Sequence, residues 1–139
     1  MRSLATLIKL QKTYVDEQRL QLAKLQEQLE QIQQRIVQHE ILMAREQVAA
    51  QKNEEARATY GAFLSAAVAK SRALEKERQT AVAAIEAARA RLAELFEDQK
   101  RYEIAEEGRQ QAEAAEERKR ERIAFDEVGS ISFIRKNKK

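Results

Sequence analysis

Residues 22–36 read LAKLQEQLEQIQQRI, and their large apolar side chains recur at alternating spacings of three and four residues. This is the spacing of the a and d positions of a coiled-coil heptad, which form one apolar stripe along a helix. Outward from this segment, every a position stays apolar without a slip. These positions are Ile8, Val15, Leu22, Leu29, Ile36, Met43 and Ala50. The sequence therefore predicts a long helix that packs lengthwise on another helix.

The d positions of the same stripe are mixed in character. They are Leu4, Gln11, Gln18, Leu25, Ile32, His39 and Glu46. Polar side chains on a packed seam lower its stability, so we expect the first heptads to pack more loosely than residues 22–36. Ser3 stands where a helix beginning at Leu4 needs an N-cap.

The composition indicates an all-α protein. There are 0 Pro and 3 Gly in 139 residues, and 35% of the chain is charged, so little interrupts a helix. No alternating run of β-branched residues suggests a strand. The apolar residues line a stripe and cannot fill a thick core. We therefore predict a single coiled-coil domain over residues 1–139.

The stripe fails between Met43 and Tyr60, where a fold-back is expected. Lys52 suits a helix C-terminus, Asn53 can cap, and Glu54 suits the first turn of a new helix. The prediction is helix 1 over about 4–52, a turn near 50–58, helix 2 over about 57–128, and a basic tail over 129–139. The second stripe comprises Tyr60, Leu64, Ala67, Leu74, Ala81, Ile85, Ala88, Leu92, Leu95 and Tyr102.

The predicted fold is a long antiparallel two-helix coiled-coil hairpin with a C-terminal helical overhang. In this register Leu22 faces roughly residue 86, and Tyr102 ends the paired region. A rival arrangement is open, because Ala50 and Leu64 lie two heptads apart and the register is formally unbroken. It is one helix of about 200 Å, at 1.5 Å per residue, that dimerises in parallel.

The sequence offers no catalytic or cofactor chemistry. The chain has no Cys, and its single histidine, His39, lies on the seam without a second ligand for a metal. No Gly-rich loop could hold a phosphate, and a thin hairpin has no concave pocket. We therefore expect neither an enzyme nor a bound cofactor.

Two other classes of partner are disfavoured. The net charge of +3 comes from 26 basic and 23 acidic residues that are largely intermixed, so nucleic-acid binding is not expected. No apolar run approaches the ~20 residues that span a bilayer. The start of the chain does not read as a signal peptide. We expect a soluble, cytoplasmic protein.

Two clusters of apolar residues are candidate contact surfaces. At the expected apex, Phe63 falls beside the seam, where little of its own chain can cover it. The apex candidates are Tyr60, Phe63, Leu64, Ala67 and Leu74. Packing on the seam is the alternative explanation for all of them except Phe63. The second cluster, before a basic end, comprises Ile123, Phe125, Val128, Ile131, Phe133 and Ile134.

Two short motifs resemble a known family. Residues 59–64 read TYGAFL and resemble the aromatic start of the second helix in FliJ-type proteins of bacterial flagellar export. The closing Phe125-Asp126-Glu127, followed by Arg135, resembles the acidic pair and basic end of that family. The size of the chain and its lack of Cys and Pro fit as well, so the resemblance covers the whole chain.

The resemblance implies a stalk role in flagellar type III protein export. It implies that the terminal ends of the hairpin enter the hexameric export ATPase, with Ile123, Phe125, Asp126, Glu127 and Arg135 on that side. It implies that the apex engages the cytoplasmic domain of the membrane export gate, with Phe63 as the matching aromatic. Export chaperones are further implied partners. The protein would then lie at the cytoplasmic face of the basal body and meet the membrane only through partners.

Two other functions are compatible with the same residues. One is a passive structural coiled coil, such as an obligate parallel dimer. The other is a chaperone that escorts export substrates and does not act on the ATPase. Binding to the export ATPase separates both from the stalk role.

Overall fold

The computed structural model describes residues 3–137, and two helices account for nearly all of them. Helix α1 spans Leu4–Lys52 and helix α2 spans Glu54–Asn137, with Asn53 alone between them. The two helices pack against each other as a hairpin, and the described part of the chain contains no strand. The predicted all-α hairpin is confirmed. The rival, one uninterrupted helix, is wrong.

Asn53 acts as the junction of both helices. Its backbone NH donates to the carbonyl of Ala49 at 3.0 Å, which completes the last turn of α1. Its side-chain Oδ1 accepts a hydrogen bond of 2.9 Å from the backbone NH of Glu55. This is N-cap geometry, in which a side-chain oxygen satisfies an NH that has no partner within its own helix. One residue therefore ends α1 and starts α2.

Arg57 joins the two helices across this turn. Its Nε donates to the carbonyl of Ala50 at 3.1 Å, and its Nη2 donates to the carbonyl of Gln51 at 3.3 Å. The last carbonyls of a helix lack partners within the helix and carry its negative dipole end, so a guanidinium there is favourable. The turn consequently needs no glycine, and no described residue other than glycine has a positive φ.

Hydrogen bonds across the pair give the register of the hairpin. The Nε2 of Gln18 donates to the carbonyl of Ala88 at 3.1 Å, and the Nε2 of His39 lies 2.9 Å from the carbonyl of Ala67. Pairing 18 with 88 places Leu22 within two residues of the partner predicted for it. Two of the polar d positions, Gln18 and His39, thus form hydrogen bonds to the opposite backbone.

The chain divides into two compact units, and the first comprises residues 14–95. Its core lies along the predicted seam. The buried apolar residues are Val15, Ala50, Ala67, Leu74, Ile85, Ala88 and Leu95. His39 is a polar residue that is also buried in this unit. Its Nδ1 has no hydrogen-bond partner within the described chain. An unpaired buried nitrogen costs stability, so His39 is a weak point of this core.

The second unit comprises the start of α1 and residues from 96 onward. Ser3 caps α1 as predicted, since its Oγ accepts a hydrogen bond of 3.2 Å from the NH of Thr6. In this unit α2 keeps partly buried residues as far as Glu106, one turn beyond the predicted limit at Tyr102. Every described residue from 107 to 137 is exposed.

The end of α2 differs from the prediction. The helix begins at Glu54, three residues before the expected start, and continues to Asn137. The segment expected to be a basic tail is therefore helical over residues 129–137, and the last two residues of that tail, Lys138 and Lys139, lie outside the described residues. Gly129 and Ser130 weaken the helix propensity at the predicted boundary. A glycine costs a helix only about 1 kcal/mol and does not break it as proline would.

Candidate partner-binding surfaces

The apex of the hairpin carries a pair of aromatic rings at the start of α2. The centroids of Tyr60 and Phe63 lie 6.2 Å apart with an interplanar angle of 27°, which is a stacked arrangement. Both residues are partly buried, whereas Leu64 is 38% exposed. Phe63 is therefore less exposed than Leu64, although the heptad pattern placed Leu64 on the seam and Phe63 beside it. The aromatic pair and Leu64 together form a partly exposed apolar surface, which we call the apex surface.

Two of the apex candidates do not reach this surface. Ala67 is 4% exposed and Leu74 is 2% exposed, and both belong to the core of the unit that contains the apex. The carbonyl of Ala67 also lies against the buried His39. A partner cannot touch these two side chains while the helices remain paired. The apex surface is therefore limited to Tyr60, Phe63 and Leu64.

The second candidate surface is the C-terminal part of α2. Its large apolar side chains are all more than half exposed, and Phe125 reaches 79%. We call residues 123–135 the terminal segment. Asp126, Glu127 and Arg135 are exposed there too, and among the described residues none of the three forms an ion pair. This segment thus presents apolar and charged groups that its own chain leaves unoccupied.

Two aromatic rings lie on one face of the terminal segment with a glycine between them. Phe125 and Phe133 stand four residues to either side of Gly129, and all three line one shallow, open surface. A Cβ built on Gly129 would meet nothing within 4 Å, so the space between the two rings is an open notch. Apolar side chains of a partner could enter such a notch.

The helix between the paired region and the terminal segment is supported by ion pairs. Arg109 contacts Glu106 at 2.8 Å and Glu113 at 2.9 Å, one turn to either side. The hydrogen bonds that Arg109 donates to Glu106 lower the pKa of the Glu106 carboxyl and raise the pKa of the Arg109 guanidinium. Pairs at these spacings stabilise an isolated helix modestly. They help to hold α2 helical where α1 no longer accompanies it.

The described residues present surfaces for binding. No group of three or more acidic or histidine side chains among them could hold a metal ion. Neither helix, over its described length, has a stretch apolar enough to cross a membrane. Sequence reasoning overlooked one further surface, an exposed apolar stripe on α1 opposite its seam. Apolar residues at the b and f heptad positions would have revealed this surface in the sequence.

One of the comparisons with known proteins identifies the family of this chain. The family described as flagellar FliJ protein matches residues 1–138, which is essentially the whole chain. No curated protein and no solved structure matches the chain. A match of this extent shows the family. The chain belongs to the FliJ family and is a component of the flagellar export apparatus.

Proposed function

We propose that this chain is the stalk of the export apparatus, with the terminal segment inserting into the hexameric export ATPase and the apex surface contacting the membrane export gate. The observation that carries the proposal is the extent of α2. It has 84 residues against 49 in α1, and all its described residues beyond 106 are exposed. A lone helix with large apolar side chains in water is best explained by a partner that covers it.

The chemistry of the terminal segment suits a site inside a ring. Its aromatic and branched side chains supply apolar area, and aromatic residues are favoured as anchors of protein interfaces. Asp126, Glu127 and Arg135 are free to pair with charges on a partner. The ion-paired helix before them can carry the segment into a cavity while exposing few apolar groups.

The apex surface suits a smaller and more selective contact. Tyr60 and Phe63 stack on each other, so their rings are already ordered before any partner arrives. Ordered aromatic groups lose little conformational freedom on binding. Leu64 lies beside them with part of its side chain exposed. We therefore assign gate binding to these three residues.

The direct test is binding of the purified chain to the purified export ATPase, together with the rate of ATP hydrolysis. We expect a stable complex and a higher rate, because a stalk that enters the ring contacts subunits whose interfaces change during turnover. Absence of both binding and stimulation would overturn the stalk proposal. An escort that binds substrates or chaperones would then account better for the chain.

Phe63→Ala is expected to weaken binding to the cytoplasmic domain of the export gate by about tenfold or more, which is the range for an aromatic anchor. The reason is the loss of one ring of the stacked pair. Binding is measured by calorimetry, and helicity by circular dichroism. The matched control is Leu20→Ala, which removes an exposed apolar side chain on α1. Unchanged gate affinity with lowered helicity would show that Phe63 serves only the fold.

A further inference from the structure

The outer face of α1 changes character along its length. This face consists of the b and f heptad positions, opposite the seam that packs on α2. From Thr6 to Gln34 it is mostly polar, and Leu20 is its only large apolar residue. From residue 37 onward this face becomes apolar. Its apolar residues are Val37, Ile41, Ala44 and Val48, which we call the outer stripe.

The outer stripe is exposed and compact. Val37, Ile41 and Val48 are each about half exposed, and Ala44 is exposed as well. The stripe lies wholly in the unit of residues 14–95, and no described residue covers it. Its length is about 16 Å at 1.5 Å per residue. Single exposed apolar residues are ordinary, but a contiguous stripe on one helix face marks an interaction surface.

The outer stripe has the pattern of a coiled-coil seam of its own. Gln34, Ile41 and Val48 recur every seven residues, and the intervening positions are Val37, Ala44 and Gln51. In this second frame Ile41 and Val48 occupy a positions, which β-branched residues commonly fill in parallel two-stranded coiled coils. The flanking residues also fit. Glu40 takes the g position and Arg45 the following e position.

Charge complementarity identifies the occupant. In a parallel pair, a g residue of one helix faces the following e residue of the other, so Glu40 would face Arg45 of an identical helix on both sides of the seam. Among the described residues neither side chain forms an ion pair. In an antiparallel pair, e positions face e positions and g positions face g positions. Glu40 and Arg45 would then not meet.

We propose that a second copy of this chain docks on the outer stripe, parallel and in register, with Glu40 of each copy paired to Arg45 of the other. The resulting dimer joins two hairpins through their α1 helices. It differs from a dimer of uninterrupted helices, because each hairpin keeps its own α1–α2 core.

The dimer contact is limited at both ends. Toward the N-terminus the same face carries Glu27 and Glu30. In a parallel pair in register, each of these carboxylates would face the same carboxylate of the other copy, and the like charges would repel. Toward the C-terminus α1 ends at Lys52. The contact is therefore confined to about residues 34–51. Such a small area belongs to the class of weak interfaces, and we expect a dissociation constant above about 1 µM.

Sedimentation equilibrium of the full chain over a range of concentrations measures the dimer. We expect a monomer–dimer equilibrium that Ile41→Asp abolishes and that Leu20→Asp, on the polar part of the same face, leaves intact. Glu40→Arg and Arg45→Glu should each weaken the dimer, and the double variant should restore it. A monomer at every concentration, or a double variant weaker than both single ones, would overturn the proposal.

Cysteine cross-linking tests the orientation, because the chain has no cysteine of its own. A disulfide requires Cα atoms within about 7 Å. In a parallel pair in register, Ile41→Cys and Val48→Cys each meet their own copy, so both variants should oxidise to covalent dimers. In an antiparallel pair, a residue faces its own copy only where the twofold axis crosses the contact. At most one of the two cysteine variants could then form a covalent dimer. Cross-linking at only one position, or at neither, would overturn the parallel assignment. None of these readouts involves the ATPase or the gate.

Discussion

Replacing Leu74 by alanine is expected to lower the free energy of unfolding of the hairpin by about 2–5 kcal/mol, the range for removing a buried leucine side chain. Leu74 is 2% exposed, the lowest value in the core of its unit. A two-helix hairpin has few buried side chains over which the loss can be spread. Urea unfolding followed by circular dichroism at 222 nm should therefore show a large fall in the midpoint.

Leu20→Ala is the matched control for this result. It removes the same atoms from a leucine that is 65% exposed and lies in the same unit. Alanine keeps the helix propensity of both sites at least as high as leucine does, so propensity cannot explain a difference. We expect the control to change stability by less than about 0.5 kcal/mol. Similar losses for the two variants would contradict the burial pattern described here.

The sequence was sufficient to predict the seam of the hairpin. Ser3, the end of α1 and the pairing of Gln18 near Ala88 agree with the heptad pattern and the capping residues. These features follow from local spacing and from side chains adjacent in the chain. An apolar period and an N-cap are both visible within a few turns of helix.

The tightness of the turn could not be predicted in the same way. In the heptad pattern, Arg57 is a polar residue that interrupts the apolar stripe. The predicted start of α2 was therefore too late. In the structure it donates to the carbonyls of Ala50 and Gln51 across the fold-back. That contact exists only once the chain has reversed direction. A pattern read along one helix cannot contain it.

The apex shows a second limit of the pattern. Residues 63 and 64 are each three or four positions from Tyr60 and from Ala67, so either could occupy the seam. The structure leaves Leu64 exposed and Phe63 partly buried, which the spacing alone does not distinguish. Ala67 and Leu74, which were also apex candidates, lie in the core, as their positions on the second stripe indicated.

Removing residues 123–139 is expected to abolish binding of the chain to the export ATPase while leaving gate binding unchanged. The deletion takes away the terminal segment, whose described side chains are all exposed, so it removes no core contact. The thermal midpoint of the hairpin should stay the same. Retained ATPase affinity in the deleted chain would refute the assignment of this segment.

A double substitution narrows the same prediction to the notch around Gly129. Phe125→Ala with Phe133→Ala removes the two rings on either side of Gly129, and alanine favours the helix at both positions. If either ring is an anchor worth about 2 kcal/mol, ATPase affinity should fall by roughly 30-fold or more. Ile104→Ala, at another exposed apolar residue of α2, is the control and should bind normally. A comparable loss of affinity in the Ile104→Ala control would mean that the ATPase recognises exposed apolar area in general. A loss confined to the double variant would mean that the ATPase recognises the two phenylalanine rings one turn to either side of Gly129.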